Sequence, residues 1–219
     1  MERYLEKGYT LQREGGKRYT ITEMIGRGSS CAVYKAVDGK AEHLLKEYNP
    51  RAISITRTDD GMMRVAEDEQ ESFCAGLVRF QAGYEKQLDL RQTDELRNST
   101  SNIQDIFDAN GTRYIDMTLF TGSTYTDIRE KSLYDLCKRM KAVTQVVGNY
   151  HKAGLLHLDI KPDNIFAIPE TCELVMLFDF DSVVEKCDIP KSVGLSYTKT
   201  WAAPEQTVAS PSRNLCKPP

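Results

Sequence analysis

The run His157-Leu158-Asp159-Ile160-Lys161-Pro162-Asp163-Asn164 constrains this chain more than any other stretch. An apolar, helix-like segment precedes it and the strand-like Ile165-Phe166-Ala167-Ile168 follows, so the run reads as a loop entering a hairpin. Pro162 fixes φ and removes a backbone donor, which suits a rigid turn rather than a helix interior. In such a turn Asp159, Lys161 and Asn164 converge on one polar centre: a proton acceptor, a cation and a neutral amide able to ligate a metal. Taken alone the run also fits an ordinary polar turn, and the remainder of the chain has to separate the two readings.

At 219 residues the chain can bury a core as one domain or as two small lobes. Its net charge of −3 offers no electrostatic footprint for nucleic acid or for an anionic membrane. Leu174-Val175-Met176-Leu177-Phe178 is strand-sized, so no membrane segment is expected, and Met1-Glu2-Arg3-Tyr4 lacks the apolar core of a signal peptide. Cys31, Cys74, Cys137, Cys172, Cys187 and Cys216 form no CxxC pair. Reduced thiols in a cytoplasmic protein are therefore expected rather than a zinc site.

Residues 1–18 read as a polar N-terminal extension, with Gly15-Gly16 turning a short hairpin into Tyr19-Thr20-Ile21-Thr22. Ile25-Gly26-Arg27-Gly28-Ser29-Ser30-Cys31-Ala32-Val33 reads as two strands joined by a loop whose backbone can approach phosphates, although an ordinary hairpin fits it as well. His43 to Tyr48 alternates as a strand does, and residues 50–66 read as an extended, charged insertion. From about residue 67 to 96 Phe73, Leu77, Phe80, Tyr84 and Leu88 recur at helical spacing. Asn110-Gly111 marks a hairpin between Asn102 and Phe120. Residues 131–153 form an amphipathic helix with Leu133, Leu136, Met140, Val143, Val147 and Tyr150 on its apolar face, and His151 ends it without chemistry. Leu174 to Phe178 is a buried strand that stops at Asp179-Phe180-Asp181, and Thr198-Lys199-Thr200-Trp201-Ala202-Ala203-Pro204-Glu205 lies beyond it.

In order and spacing these segments resemble the motifs of eukaryotic-type (Hanks-type) serine/threonine protein kinases over about residues 19–210. The catalytic loop carries Leu158 where that family usually has Arg. Cys31 stands at the third glycine of the glycine-rich loop, Asp181 replaces the glycine of DFG, and Ala203-Pro204-Glu205 is an intact APE. The resemblance implies an α+β, two-lobed kinase-like fold. Its antiparallel N-lobe would span 19–120 with the insertion at about 50–66, followed by a mainly helical, incomplete C-lobe at 121–205 and a tail at 206–219.

It also implies ATP and Mg2+ as cofactors. Ile25, Gly26, Gly28, Val33 and Phe166 would line the nucleotide, Met117 would guard the back of its pocket, and Thr118 and Phe120 would offer backbone groups to adenine. Leu44, in place of a small alanine, would narrow that pocket. Lys46 would hold the α- and β-phosphates with Glu85 as its partner, a solvated surface Glu85 being the alternative. Asp159 would orient the substrate hydroxyl and accept its proton, Lys161 would neutralise the transferring group, and Asn164 and Asp179 would hold Mg2+.

Lys161 and Thr198 resemble the serine/threonine branch, so protein substrates with a Ser or Thr acceptor are expected. Cys31, Leu44 and Asp181 keep a second class open, a non-catalytic nucleotide-binding pseudokinase or scaffold module. Small-molecule kinases of related fold fit less well, given Lys161 and the APE. The family continues with further helices after the APE, so the resemblance implies C-terminal truncation. On that expectation the isolated chain is weakly active or inactive, and a partner covers the incomplete C-lobe.

Overall fold

Alternating burial along Arg18–Arg27 and Cys31–Val37 produces the two strands that begin the larger sheet. The computed structural model describes residues 3–92, 97, 100, 103–119, 122–191 and 197–208. The chain divides into two units, one of Met1–Ala82 with Asn102–Phe120 and one of Gly83–Ser101 with Thr121–Pro219.

In the first unit β1 (Thr10–Gln12), β2 (Arg18–Arg27), β3 (Cys31–Val37) and β4 (Glu42–Tyr48) follow as successive antiparallel hairpins. A separate hairpin, β5 (Ile55–Arg57) and β6 (Met63–Val65), precedes α1 (Gln70–Arg91). Then β7 (Ile103–Ala109) and β8 (Thr112–Thr118) complete a six-stranded sheet in the order β1-β2-β3-β4-β8-β7. Asn110 and Gly111 turn the last hairpin with φ of 52° and 74°, the left-handed pair that an Asn-Gly turn supplies.

Because side chains alternate across a strand, β4 divides its residues between two environments. His43, Leu45 and Glu47 face an apolar cluster that includes Leu11, Tyr19, Tyr34, Phe107 and Tyr114. Leu44, Lys46 and Tyr48 point the other way, where the Tyr48 ring packs on Phe73 and Phe80 of α1 at 5.2 and 5.4 Å between centroids.

The hairpin read at Gly15-Gly16 is present, β1 pairing with β2, and the segment before it is not wholly polar surface, because Leu5 and Leu11 are buried. Residues 50–66 carry the β5–β6 hairpin, and one of its charges is internal. Arg57 donates to the fully buried Glu47, to Gly61 O at 2.7 Å and to Arg3 O at 2.9 Å. Glu47 also accepts from Tyr34 Oη at 3.0 Å, Asn49 Nδ2 at 3.1 Å and Tyr114 Oη. A buried carboxylate needs that many donors to replace its water.

The second unit takes the C-terminal part of α1 and adds β9 (Ser123–Thr124), α2 (Leu133–Lys152), β10 (Leu155–Leu156), β11 (Ile165–Ala167), β12 (Val175–Leu177), β13 (Val184–Glu185) and α3 (Pro204–Val208). β12, β11 and β9 form one antiparallel sheet in that order, and β10 pairs with β13. Ser132 caps α2 by accepting from Asp135 N at 3.1 Å. Val143, Val146 and Tyr150 of α2 meet Ile165, Leu177 and Phe180 in the core.

The apolar face read for α2 is only partly the buried one. Val143 and Tyr150 are inside, but Leu133, Leu136 and Met140 are exposed. The same helix buries Arg139, which is 1% exposed and reaches Glu130 Oε1 at 2.5 Å and the carbonyls of Thr171 and Ile168 at 3.1 and 3.3 Å. No helix among the described residues is long and apolar enough to cross a membrane.

Candidate active site

Asp159 is the centre of the second unit's polar cluster. Its Oδ2 accepts from Lys161 Nζ at 2.8 Å and from Asn164 Nδ2 at 3.1 Å, and its Oδ1 accepts from the Thr198 backbone N–H at 2.8 Å. Lys161 Nζ also reaches Thr198 Oγ1 at 2.7 Å, and Asn164 Nδ2 reaches Asp159 O at 2.8 Å. Burial pushes the Asp159 carboxyl up, but the bonds from Lys161 and Thr198 outweigh it and hold the group below the ordinary carboxylate range. Asp159, Lys161 and Asn164 are thus brought together, as the loop reading expected of three polar residues in one turn. Pro162 opens the 3-10 turn Pro162–Asn164 that places Asn164 beside Asp159.

The pairing of β11 with β12 carries Asp179 to the same end of the sheet. Ile165 is opposite Leu177, and Phe178 N donates to Asn164 O at 2.9 Å. His157 Nε2 donates to Phe178 O at 2.9 Å, so the residue before Asp179 is gripped at both its N–H and its carbonyl. Burial holds the His157 imidazole below its ordinary pKa, so the ring is neutral and carries its proton on Nε2. Asp179 itself takes φ 63°, and Phe180 packs its ring against Tyr84, Tyr150 and His157.

The donor chemistry fits a magnesium ion. Both hydrogens of the Asn164 amide are occupied at Asp159, which leaves Oδ1 as the atom that would ligate, and Asp179 would add a carboxylate. Hard oxygen donors of this kind suit Mg2+. Phe166 lies on β11, partly buried, with its ring 5.3 Å from that of Phe178.

In the first unit the expected nucleotide residues share adjacent strands. Gly26 is opposite Val33, Val33 opposite Lys46 and Lys46 opposite Ile115, so Val33 and Lys46 lie on one face. Gly28 N donates to Cys31 O at 2.8 Å and closes the turn between β2 and β3. Ile25 is exposed, Met117 is buried opposite Leu44, and Thr118 is opposite His43. Phe120 lies outside the described residues.

Lys46 is 6% exposed, and its Nζ sits 5.8 Å from the centroid of the Phe80 ring, within the range of a cation–π contact. Glu85 is exposed on α1. An aromatic at helical spacing reads as core, so sequence alone gave no signal for the contact of Lys46 with Phe80.

Residues 19–214 match the family described as the protein kinase domain. The chain belongs to the protein kinase family. Two curated kinases are each 27% identical to it: a probable serine/threonine-protein kinase PknB of Bifidobacterium longum over 206 residues, and a probable serine/threonine-protein kinase of Clostridium acetobutylicum over 201 residues. The alignments cover 87% and 89% of this kinase chain but 27% of each relative, so it spans about a quarter of their length. Among solved structures, PpkA-294 in its apo form is similar with a TM-score of 0.66 and 24% identity, over 82% of this chain and 62% of that one. A crystallised kinase domain is similar at 0.65 and 14%, over 92% and 60%. These likenesses establish the α+β, two-lobed kinase fold.

Within that family the tether of His157 to Phe178 and the backbone N–H of Thr198 on Asp159 are the site contacts that the motif reading did not contain. Neither has a sequence signal, because each joins a side chain on one side to a main-chain group on the other.

Proposed function

We propose that this kinase transfers the γ-phosphoryl group of ATP to serine or threonine hydroxyls of protein substrates. The observation that carries the reading is the Asp159 carboxylate, kept anionic and fixed in direction by Lys161, Asn164 and the Thr198 N–H. A carboxylate so held orients an incoming hydroxyl and receives its proton as the oxygen–phosphorus bond forms and ADP leaves. Lys161, one bond from Asp159, would neutralise charge on the transferring group. Asn164 and Asp179 would hold Mg2+, whose charge draws the phosphate oxygens together. Lys46 would meet the tail phosphates, with Val33 and Met117 on the same sheet against the nucleotide. The serine/threonine assignment rests on Lys161 and Thr198 meeting at Asp159 and on the names of the curated relatives.

Incubation with γ-labelled ATP, Mg2+ and a generic protein tests the reading. Label recovered as phosphoserine or phosphothreonine, and lost in Asp159→Asn, is the expected result. Nucleotide binding without any transfer would make the chain a nucleotide-binding module instead.

A further inference from the structure

Leu158 holds a left-handed backbone, φ 61°, directly before Asp159. A leucine has no side-chain bond with which to stabilise that conformation, so something outside it must hold the peptide. The holder is on α3. Gln206 Nε2 donates to Leu158 O at 2.9 Å, while its Oε1 accepts from Ala203 N at 2.9 Å. Ala203 immediately precedes α3 and Gln206 is the third residue of that helix. The Oε1 bond is therefore the returning half of a capping box, and the same amide spends its other end on the catalytic loop. The segment that carries Gln206 also supplies the Thr198 N–H to Asp159 Oδ1, so the Leu158–Asp159 pair is gripped at its carbonyl and at its carboxylate.

We propose that Gln206 is a positioning residue for the phosphoryl-transfer reaction: its amide clamps the strained Leu158 peptide and so fixes the direction of Asp159. The inference rests on the kinase reading above. The side chain must accept at one end and donate at the other, a requirement that glutamine meets. Glutamate keeps the cap on Ala203 but turns a second oxygen toward Leu158 O, and methionine removes both bonds.

The experiment compares Gln206→Glu, Gln206→Met and Thr207→Val in the 219-residue chain. Thr207→Val is the control for α3 stability, because Thr207 Oγ1 bonds Pro204 O at 2.8 Å inside the helix. Amide hydrogen exchange at residues 158–160 is read beside kcat and KM for ATP. In both Gln206 variants exchange at 158–160 should quicken roughly tenfold or more while α2 stays protected, and kcat should fall roughly 10- to 100-fold with KM for ATP within about twofold, as a misdirected catalytic group requires. Thr207→Val should match the wild type in every readout. Wild-type exchange and kcat in Gln206→Glu would overturn the proposal, as would an equal loss in Thr207→Val. Should the wild-type chain transfer no phosphate, the reaction reading fails, and exchange at 158–160 in Gln206→Glu still decides whether the clamp exists.

Discussion

Asp159 and Asp179 are both acidic, and the proposed function gives them different work. Asp159 takes three donors from protein and keeps a lone pair on Oδ1 for a further partner, which on the proposed function is the substrate hydroxyl. Asp179 follows a residue tied down at both N–H and carbonyl, which suits a ligand that must be in place before the reaction begins. Asp159→Ala should therefore leave Mg2+–nucleotide affinity nearly unchanged and lower transfer roughly 10²- to 10⁴-fold. Asp179→Ala should weaken Mg2+–ATP far more than ATP in EDTA, measured by titration calorimetry; equal weakening of both would remove Asp179 from the metal site. His157 gives a prediction in pH. Its folded pKa lies below the unfolded value of about 6.5, so under that pH the unfolded chain takes a proton that the folded chain refuses. Stability should accordingly be full above about pH 6.5 and fall as pH drops through it, and the urea midpoint of His157→Asn should vary less between pH 7 and 5. Asp159, Lys161, Asn164 and Asp179 were legible in the sequence because a short turn and a strand end leave such residues few places to go. Phe80 and Gln206 were not, since one reads as core and the other falls where a structureless tail was expected.

The β5–β6 hairpin shows why elements of low periodicity are read as loops. Each strand has three residues, too few for alternation to register, and the residue that anchors the hairpin is an arginine. Arg57 is buried against Glu47, with the tyrosine hydroxyls of Tyr34 and Tyr114 on the same carboxylate. Their pKa values are raised, chiefly by burial, so both remain neutral donors. Replacing Arg57 with Met strands the buried Glu47 charge and should cost about 3–5 kcal/mol in denaturant unfolding. Adding Glu47→Gln should recover part of that loss; if Arg57→Met alone costs under about 1 kcal/mol, the pair is not the anchor. The α2 helix makes the complementary point. Its length was visible in spacing, but its buried face includes Arg139, which no hydrophobic pattern marks. Leu133→Gln and Met140→Gln should each change stability by no more than about 0.5 kcal/mol, whereas Tyr150→Ala, at the Phe180 ring, should cost about 3–5 kcal/mol.

α1 serves both units of the chain, giving Phe73 and Phe80 to Tyr48 in the first and Tyr84 and Leu90 to the core of the second. The division falls at Gly83, where space is set by the turn that follows Asp179. A Cβ on Gly83 would lie 2.9 Å from Phe180 O, a backbone atom that cannot rotate aside. Gly148, in α2, is the matched case, because a Cβ there meets nothing within 4 Å. Both substitutions to alanine gain about 1 kcal/mol of helix propensity, so the difference between them isolates the contact. Gly148→Ala should raise the melting temperature by about 2–4 °C, the shift expected for about 1 kcal/mol in a chain of this size. Gly83→Ala adds an overpacking cost of about 1–3 kcal/mol, which cancels or exceeds the gain, and it displaces Phe180 next to Asp179. Mg2+-dependent nucleotide binding should therefore weaken in Gly83→Ala and stay unchanged in Gly148→Ala, with calorimetric melts and nucleotide titrations run on both. A Gly83→Ala chain as stable as Gly148→Ala, with full nucleotide affinity, would mean that the Phe180 carbonyl yields freely and that α1 does not hold the turn carrying Asp179.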